Sequence, residues 1–412
     1  MGLIVQKFGG TSVADSERIK RAARRAVQVQ LAGSQVVMVL SAMGKTTDRL
    51  IALAREITEA PNPRELDMLV STGEQISIAL MAMALQEMGR RAISLTGGQV
   101  GLVTDSVHKQ ARIRSIDAER IRRYLDDGQI VIVAGFQGVD ENANITTLGR
   151  GGSDTTAVAL AAVLGADECE IYTDVDGVYS TDPRVVPEAR KLEAISYDEM
   201  LELASQGAGV MHSRSIEFGK KYRVPIHVRS SLTDGPGTVI GEETEMMERI
   251  VVSGVALKKN IAKITIRHLP DEPGVAAKLF QQIAENHVIV DDIIQSTSEE
   301  GFVDMSFTVD SDALAEARLT MDQVVELTAA RGYDCDQRVA KVSAVGVGMR
   351  THTGVATKMF QALADAKINI QMITTSEIKI SVIVAEDEGE EALRKIHAAF
   401  ELDKAPAERS EA

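Results

Sequence analysis

A lysine that ends an apolar run and stands just before two glycines is the first group here that could do chemistry. The stretch "LIVQKFGGTSVADSERIKRA", from Leu3, reads as strand, glycine turn and helix. Such a turn offers unpaired backbone N–H groups and the positive end of a helix. Lys7 adds a full charge beside them, so phosphate is the natural ligand. Taken alone, the same glycine pair is also an ordinary structural turn. A second cradle is "TLGRGGSDTTAVALAAVLGA". Its glycines Gly149, Gly151 and Gly152 let backbone approach a ligand closely, Ser153 or Asp154 can cap the helix, and Arg150 can pair bidentately with a carboxylate. The plainer reading is a capped helix with an exposed arginine. Neither stretch is a standard nucleotide fingerprint. "MVLSAMGKTTD" has Val39 where a Walker A loop needs glycine, and "GRGGSD" has Asp154 where a Rossmann turn needs its last one.

Two further stretches carry reactive groups. "YTDVDGVYSTDPR" follows a strand and holds Asp174, Asp176, Asp182 and Arg184, which could hold Mg²⁺ through water or contact a ribose, while Tyr179 could face a base. A solvated turn has the same composition. Glu74 opens the helix "STGEQISIALMAMALQ", where a carboxylate complements the dipole or could grip a substrate ammonium. The seven histidines show no metal-ligand spacing, and Cys169 and Cys335 stand outside any CxxC pattern, so the expectation is no metal site built by protein alone and no disulfide. His212, in "GAGVMHSRS", reads as a packing or hydrogen-bonding residue, and "ALMAMALQEM" as helix core.

The elements that must position these groups alternate. From Leu3 to about Val228, the short apolar runs "LIVQKF", "QVVMVLSA", "RRAISLTG", "GQIVIVAGFQG", "ECEIYTDVDGVYS" and "VPIHVRSS" are separated by helix-patterned segments. That is the α/β signature of a mostly parallel sheet between helices, with functional loops at the strands' carboxyl ends. With 412 residues, 44% of them hydrophobic and 25% charged, the chain exceeds one core and is expected to form two or more globular domains. A net charge of −15 argues against nucleic acid as a partner. No signal-like start is read and no stretch of roughly 18 apolar residues, so the expectation is a cytoplasmic chain without a membrane partner.

Between Thr233 and Asn260 a Gly/Pro turn and an acidic run read as a domain boundary. Beyond it the text repeats. "DEPGVAAKLFQQIAENHVIVDDIIQS", from Asp271, returns as "THTGVATKMFQALADAKINIQMITTS", from Thr351, and roughly nine of about 23 aligned positions from Gly274 to Ser296 are identical. Each copy, with "VDMSFTVD" or "IKISVIVA" behind it, fits a ferredoxin-like βαββαβ domain. The expected boundaries are 1–232 for the α/β domain, 233–262 for a linker and entry strand, 263–342 and 343–404 for the two copies, and 405–412 for a frayed tail. A pair of such copies could serve as a spacer or a dimerisation element.

Taken in order, "KFGGTSV", "SAMGKTTD", "STGEQ", "TLGRGGSDTTA" and "YTDVDGVYSTDPR", followed by the duplicated tail, resemble the aspartokinase family over nearly the whole chain. The resemblance implies an amino-acid kinase fold followed by two ACT domains, and phosphorylation of the side-chain carboxylate of L-aspartate with ATP and Mg²⁺. It implies Lys7, Phe8, Gly9 and Gly10 at the transferring phosphate and Asp154 as the organising carboxylate. Ser41, Thr47, Glu74 and the loop Arg150, Gly151, Gly152 and Ser153 would form the aspartate site, with Arg150 on the α-carboxylate and Glu74 on the ammonium. Thr173, Asp174, Tyr179, Asp182 and Arg184 would form the nucleotide loop. One departure stands in "QGAGVMH", where Gly209 replaces a lysine that some members carry, so that loop receives no catalytic role.

For the tail the resemblance implies feedback inhibition by lysine, threonine or both. Asp271, Gly274, Val275, Val290, Asp291 and Gln295 would hold effector in the first copy, and Val355, Asn369, Ile370, Ser376 and Glu377 in the second. Because Thr351 stands where the first copy has Asp271, unequal binding by the two copies is expected. A homo-oligomer through the ACT copies is expected, and an internal start at Met246 or Met247 would yield the tail as a separate chain. Other acceptors, such as glutamate, acetylglutamate or carbamate, fit "KFGGTSV" and the tail less well. A catalytically inactive amino-acid-binding regulator would not need Lys7, Glu74, Arg150 and Asp154 together.

Overall fold

The computed structural model describes residues 2–207, 209–296 and 300–409, and of Glu248 only the backbone. Its described residues form two units. The first takes 2–179, 191–204 and 209–247, and the second takes 180–190, 205–207, 248–296 and 300–409.

In the first unit the chain runs β1 (Leu3–Phe8), α1 (Ser16–Leu31), β2 (Gln35–Leu40), α2 (Thr46–Ile57), α3 (Pro63–Val70), α4 (Thr72–Glu87), β3 (Ala92–Leu95), β4 (Leu102–Thr104), β5 (Ile113–Ile116) and α5 (Glu119–Asp126). It continues through β6 (Ile130–Ala134), β7 (Gln137–Val139), β8 (Ile145–Thr147), α6 (Gly152–Leu164), β9 (Glu168–Thr173), β10 (Ala194–Ser196), α7 (Tyr197–Ser205), α8 (Ser213–Tyr222), β11 (Ile226–Ser230), β12 (Thr238–Gly241) and the short α9 (Glu245–Glu248). The eight-stranded sheet has the order β10-β12-β11-β9-β1-β2-β6-β3 and is parallel except between β11 and β12. A smaller sheet has the order β5-β4-β7-β8.

The reason is visible in the residues. β2, "QVVMVL", is apolar throughout because helices cover both faces of a parallel sheet. α1 turns Ile19, Ala22, Ala23 and Ala26 inward, and Asp15 caps it by accepting from the Arg18 N–H. α6 is buried along nearly its whole length, which its run of alanines permits. Thr233–Asn260, read as a boundary, contributes β12 to the large sheet before the first unit ends at residue 247. One helical stretch among the described residues, Pro63–Glu87, is long and apolar enough to cross a membrane by length and mean composition, although it holds no run of about 18 apolar residues. It combines α3 with the methionine- and alanine-rich α4, and half of its most apolar window is buried in this unit.

The second unit contains β13 (Gly254–Pro270), α10 (Val275–Glu285), β14 (Asp291–Gln295), β15 (Phe302–Asp310), α11 (Leu314–Thr328), β16 (Gly332–Val345), α12 (Val355–Asp365), β17 (Met372–Thr375), β18 (Lys379–Ala385) and α13 (Gly389–Ala399). Its strands make one antiparallel sheet in the order β14-β15-β13-β16-β18-β17. The first copy is a complete βαββαβ. The second lacks a closing strand of its own: the start of β13, Gly254–Lys258, supplies it by pairing with Lys341–Val345 of β16. A strand lying before the first repeat leaves no mark in the repeat pattern. The duplication is otherwise faithful to the backbone, with Gly274 and Gly354 at φ 96° and 90°, and His287 and Lys367 at φ 57° and 59°.

Lys341 of β16 is fully buried, and its ammonium lies 2.5 Å from Asp291 Oδ2 and 2.6 Å from Asp292 Oδ2. Thr374 Oγ1, on β17 of the other copy, donates to Asp292 Oδ1 at 3.0 Å. Burial works against ionisation of Asp291, yet the Lys341 ammonium holds its carboxyl below the usual range. Removing the cation would strand the buried Asp292 carboxylate, so Lys341→Ala should cost about 3 kcal/mol of stability. Urea unfolding of the second unit's transition checks it, and a loss under about 1 kcal/mol would demote the cluster to a surface-like ion pair.

Candidate active site

β9, β1, β2 and β6 are neighbours in the large sheet, and their carboxyl ends bring residues far apart in sequence into one place. Lys7, at the end of β1, is 9% exposed and its ammonium lies 2.5 Å from Asp154 Oδ1, in the first turn of α6. The Gly9 N–H donates to the Tyr172 carbonyl on β9, and the Gly44 N–H to the Gly10 carbonyl. A Cβ on Gly10 would lie 2.9 Å from the carbonyl oxygens of Ala42 and Gly44. The two glycine turns are therefore pressed together, closer than any side chain allows. Phe8 stacks on Tyr172 beneath them, with centroids 4.7 Å apart.

Glu74 enters from the start of α4. Its Oε1 accepts from the Ala42 N–H at 3.0 Å, and Gly73 permits this approach because a Cβ there would meet Ala42 Cβ at 2.7 Å. The carboxyl is 2% exposed, and its Oε2 has no hydrogen-bond partner among the described residues. Burial pushes its pKa up to about 7, against the backbone hydrogen bonds of Glu74 and Ala42, which pull it down. A buried carboxyl with one open oxygen is suited to an ammonium ligand.

The loop before α6 is shaped by glycine. Gly149 and Gly151 have φ 77° and 70°, and a Cβ on Gly151 would fall 2.3 Å from His212 Cβ. His212 itself caps α8, its ring accepting from the Arg214 N–H, which agrees with a packing role. Ser153 is buried against Gly135, at the end of β6, while Arg150 is exposed. Ser41 continues β2, its N–H donating to the Phe8 carbonyl, and Thr47 lies in the first turn of α2.

The residues read as a nucleotide loop are divided. Thr173, Asp174 and Tyr179 belong to the first unit, where the Tyr179 hydroxyl donates to Asp176 at 2.8 Å. Asp182 and Arg184 belong to the second unit and are bound to each other. In that unit an open cavity of about 520 Å³ is lined by Arg350, His352, Gly354, Val355, Ser376 and Glu377 among others, uniting three of the residues expected in the second copy's effector site. Asn369 and Ile370 do not line it. Asp291 is engaged by Lys341, and Asp271 is exposed at the turn before α10.

Glu168, Glu170 and His227 bring possible metal ligands within 4.8 Å of one another. Each already has protein partners: Glu170 is held by Gln6, Tyr172 and Arg229, and His227 by Glu168 and the Pro236 carbonyl. They do not form an open ligand set.

Residues 2–230 match the amino acid kinase family, and residues 264–325 and 342–400 each match an ACT domain. Over the full length of both chains, 54% of residues are identical to an aspartate kinase of Pseudomonas putida. The chain belongs to the aspartate kinase family. Its enzymatic activity is accordingly that of an aspartate kinase. Aspartokinase 2 of Bacillus subtilis is 49% identical over 99% of this chain and all of its own. The crystal structure of E. coli aspartokinase III in complex with aspartate and ADP, in the R-state, aligns over 97% of this chain and 99% of its own, with 28% identity and a TM-score of 0.82. The T-state of that enzyme, in complex with lysine and aspartate, covers 96% and 99%, with a TM-score of 0.74.

Sequence reasoning missed how this family member holds its loops. Asp67, in the otherwise apolar "LDMLV" of α3, is 1% exposed and accepts from His108, Lys109 and Thr147. A lone aspartate on an apolar helix face was the available signal.

The raised Glu74 pKa has a consequence for stability. A carboxyl whose folded pKa exceeds its unfolded value stabilises below about pH 4.5 and loses that contribution as pH rises to about 7. Glu74→Gln should therefore gain about 3 kcal/mol over the native chain at pH 8 and only about 1 kcal/mol at pH 5. Urea denaturation at both pH values checks the difference, and an equal effect at both would mean that Glu74 is charged throughout.

Proposed function

We propose that the chain transfers the γ-phosphoryl group of MgATP to the β-carboxylate of L-aspartate, giving ADP and 4-phospho-L-aspartate. This is the first step towards lysine, threonine and methionine. The reading rests on one observation above all: the buried Lys7–Asp154 pair at the junction of two interlocked glycine turns. Aspartate and ADP are the ligands named for the E. coli R-state structure.

The nucleophile is a carboxylate with a reference pKa of about 3.9, ionised at neutral pH, so no general base is required. One carboxylate oxygen forms a bond to the γ-phosphorus while the bond from phosphorus to the ADP oxygen breaks. What the protein must supply is charge and alignment between two anions. Lys7 neutralises phosphoryl oxygens, the backbone of the turn at Gly10 approaches them, and Asp154 holds the Lys7 ammonium in place. Glu74 takes the aspartate ammonium and Arg150 its α-carboxylate, with Ser41, Thr47 and Ser153 alongside. Thr173, Asp174 and Tyr179 serve the nucleotide. Asp154 is committed to Lys7, so the donors that fit Mg²⁺ are the nucleotide's own phosphate oxygens. When bound, the ion adds charge neutralisation there.

The ACT copies act as the feedback sensor, binding lysine, threonine or both. Arg350 Nε and Glu377 Oε2, 3.6 Å apart at the second copy's cavity, offer opposite charges to a zwitterion. In the first copy Asp271 stands beside the N-terminus of α10, opened by Gly274. An effector inhibits by favouring an arrangement of the tail in which the kinase is less active. The enzyme works in the cytoplasm as a homo-oligomer joined through these copies. Met246 and Met247, in α9, are the starts from which a tail-only chain would be made.

Acyl phosphate trapped by hydroxylamine, dependent on ATP, Mg²⁺ and L-aspartate and suppressed by lysine or threonine, is the expected result. Lys7→Ala should lower kcat on the order of 10² or more, and because it leaves the buried Asp154 carboxylate without its partner it should also cost about 3 kcal/mol of stability. Near-native turnover in that variant would remove Lys7 from the mechanism. Asp271→Ala should relieve inhibition and spare turnover, and an unchanged effector titration would move the regulatory site elsewhere.

A further inference from the structure

The turn that carries Arg150 is hung between two fixed points, neither of which touches the groups assigned to substrate. On one side is Asp67 of α3. Its carboxylate accepts from Thr147 Oγ1 at 2.6 Å and from the Thr147 N–H at 3.1 Å, from His108 Nδ1 at 2.8 Å and from the Lys109 N–H at 3.1 Å. On the other side is Arg214 of α8. Its guanidinium donates to the Leu148 carbonyl at 3.0 Å and to the Ala111 carbonyl at 2.9 Å. Thr147 and Leu148 are the last residues before Gly149 and Arg150. Gly149 lets the turn pack closely here, since a Cβ there would lie 2.8 Å from the Lys109 carbonyl oxygen. The chain is thus clamped up to one residue before Arg150. It is caught again just after, where the Gly152 N–H donates to the Gly149 carbonyl.

We propose that Asp67 and Arg214 are positioning residues for aspartate binding, fixing the β8-to-α6 turn so that the exposed Arg150 is held ready for the α-carboxylate. The proposal rests on the reading that Arg150 takes that carboxylate. An exposed arginine on a free glycine-rich turn would lose conformational freedom on binding, and that loss would weaken affinity. Clamping the turn from both sides removes most of that cost beforehand. Asp67 suits the task because every group facing it is a donor. An asparagine there would turn its amide nitrogen, which accepts nothing, towards at least one of them. Arg214 suits it because a planar fork can reach two carbonyls at once, whereas a lysine places a single charge.

Because Arg150 contacts the end of aspartate remote from the transferring phosphate, loosening it should weaken aspartate binding without slowing chemistry. Asp67→Asn should raise KM for aspartate about tenfold or more, leaving kcat and KM for ATP within about threefold. In an Arg150→Ala background the same substitution should add less than about twofold, since its effect passes through Arg150. A merely structural residue would move both KM values and kcat together, or act equally in the two backgrounds, and either result overturns the inference. An unchanged KM in Asp67→Asn does so as well. Arg150→Ala with native KM for aspartate would instead overturn the Arg150 reading, and the inference with it. If Asp67→Asn does not fold, Thr147→Val, which deletes one donor and keeps the side-chain shape, is judged by the same criteria.

Discussion

The ammonium of Lys7 and the carboxylate of Asp154 meet at 2.5 Å with little access to water, and the first unit is arranged around that meeting. A buried pair returns the cost of removing two charges from water only when its geometry is well held. Here the holding groups are β1, central in the large sheet, and α6, the most thoroughly buried of this unit's helices. Position 7 lies near the start of the chain and position 154 follows seven further strands of the large and small sheets. The crossover order that puts β1 beside both β2 and β9 is therefore what makes the pair possible. The same order aims the glycine turns after β1 and β2 at each other. The positive field at those turns is local, set against an overall charge of −15, and the pair keeps the lysine in place without a ligand.

The second unit solves a different problem, that of joining two copies of one small fold into a single sheet. β13 and β16 each run through both copies, so a shift of either strand is felt in both. Lys341 is buried on the shared strand β16 and binds carboxylates of the first copy, one of which is tied to Thr374 of the second. Identical backbones with different side chains follow from the duplication. Gly274 and Gly354 open equivalent helices, yet Asp271 faces one of those helix starts and Thr351 the other. Such a pair can answer different ligands with the same geometry.

Much of this was legible in the sequence because the signals were local. The runs that became β1, β2, β3, β6, β9 and β11 were apolar and bounded by turns, and the repeat in the tail was plain at fixed spacing. The glycines of "KFGGTSV" and "GRGGSD" marked both cradles because Gly10, Gly149 and Gly151 each permit a contact that a Cβ would block. What escaped was short or remote. β4, β8, β10 and β12 have three or four residues, too few for a period to show. The strand that completes the second copy precedes the first. The residues of "STDPR" divide from those of "YTDVDG" because contacts made far along the chain decide which unit they join, as with Ser180 and His397. Asp67 and Arg214 escaped because their partners lie far along the chain and many of them are backbone groups, which no sequence displays.

Glu74 shows why the site is more than an extension of the core. A glutamine would fill its place, keep an acceptor for the Ala42 N–H and avoid burying a charge. The native carboxyl instead leaves one oxygen unmatched and is raised to about 7. That arrangement is unfavourable in the empty enzyme, and under the proposed function the free energy lost on folding is recovered when a cation binds. The cation that does so must be small enough to reach a group 2% exposed and must bring its own anionic ends elsewhere. An amino acid's ammonium meets both conditions. On the proposed reading, the carboxylates that travel with it are left to Arg150 and to the phosphoryl group at Lys7, and orientation follows from the one buried charge.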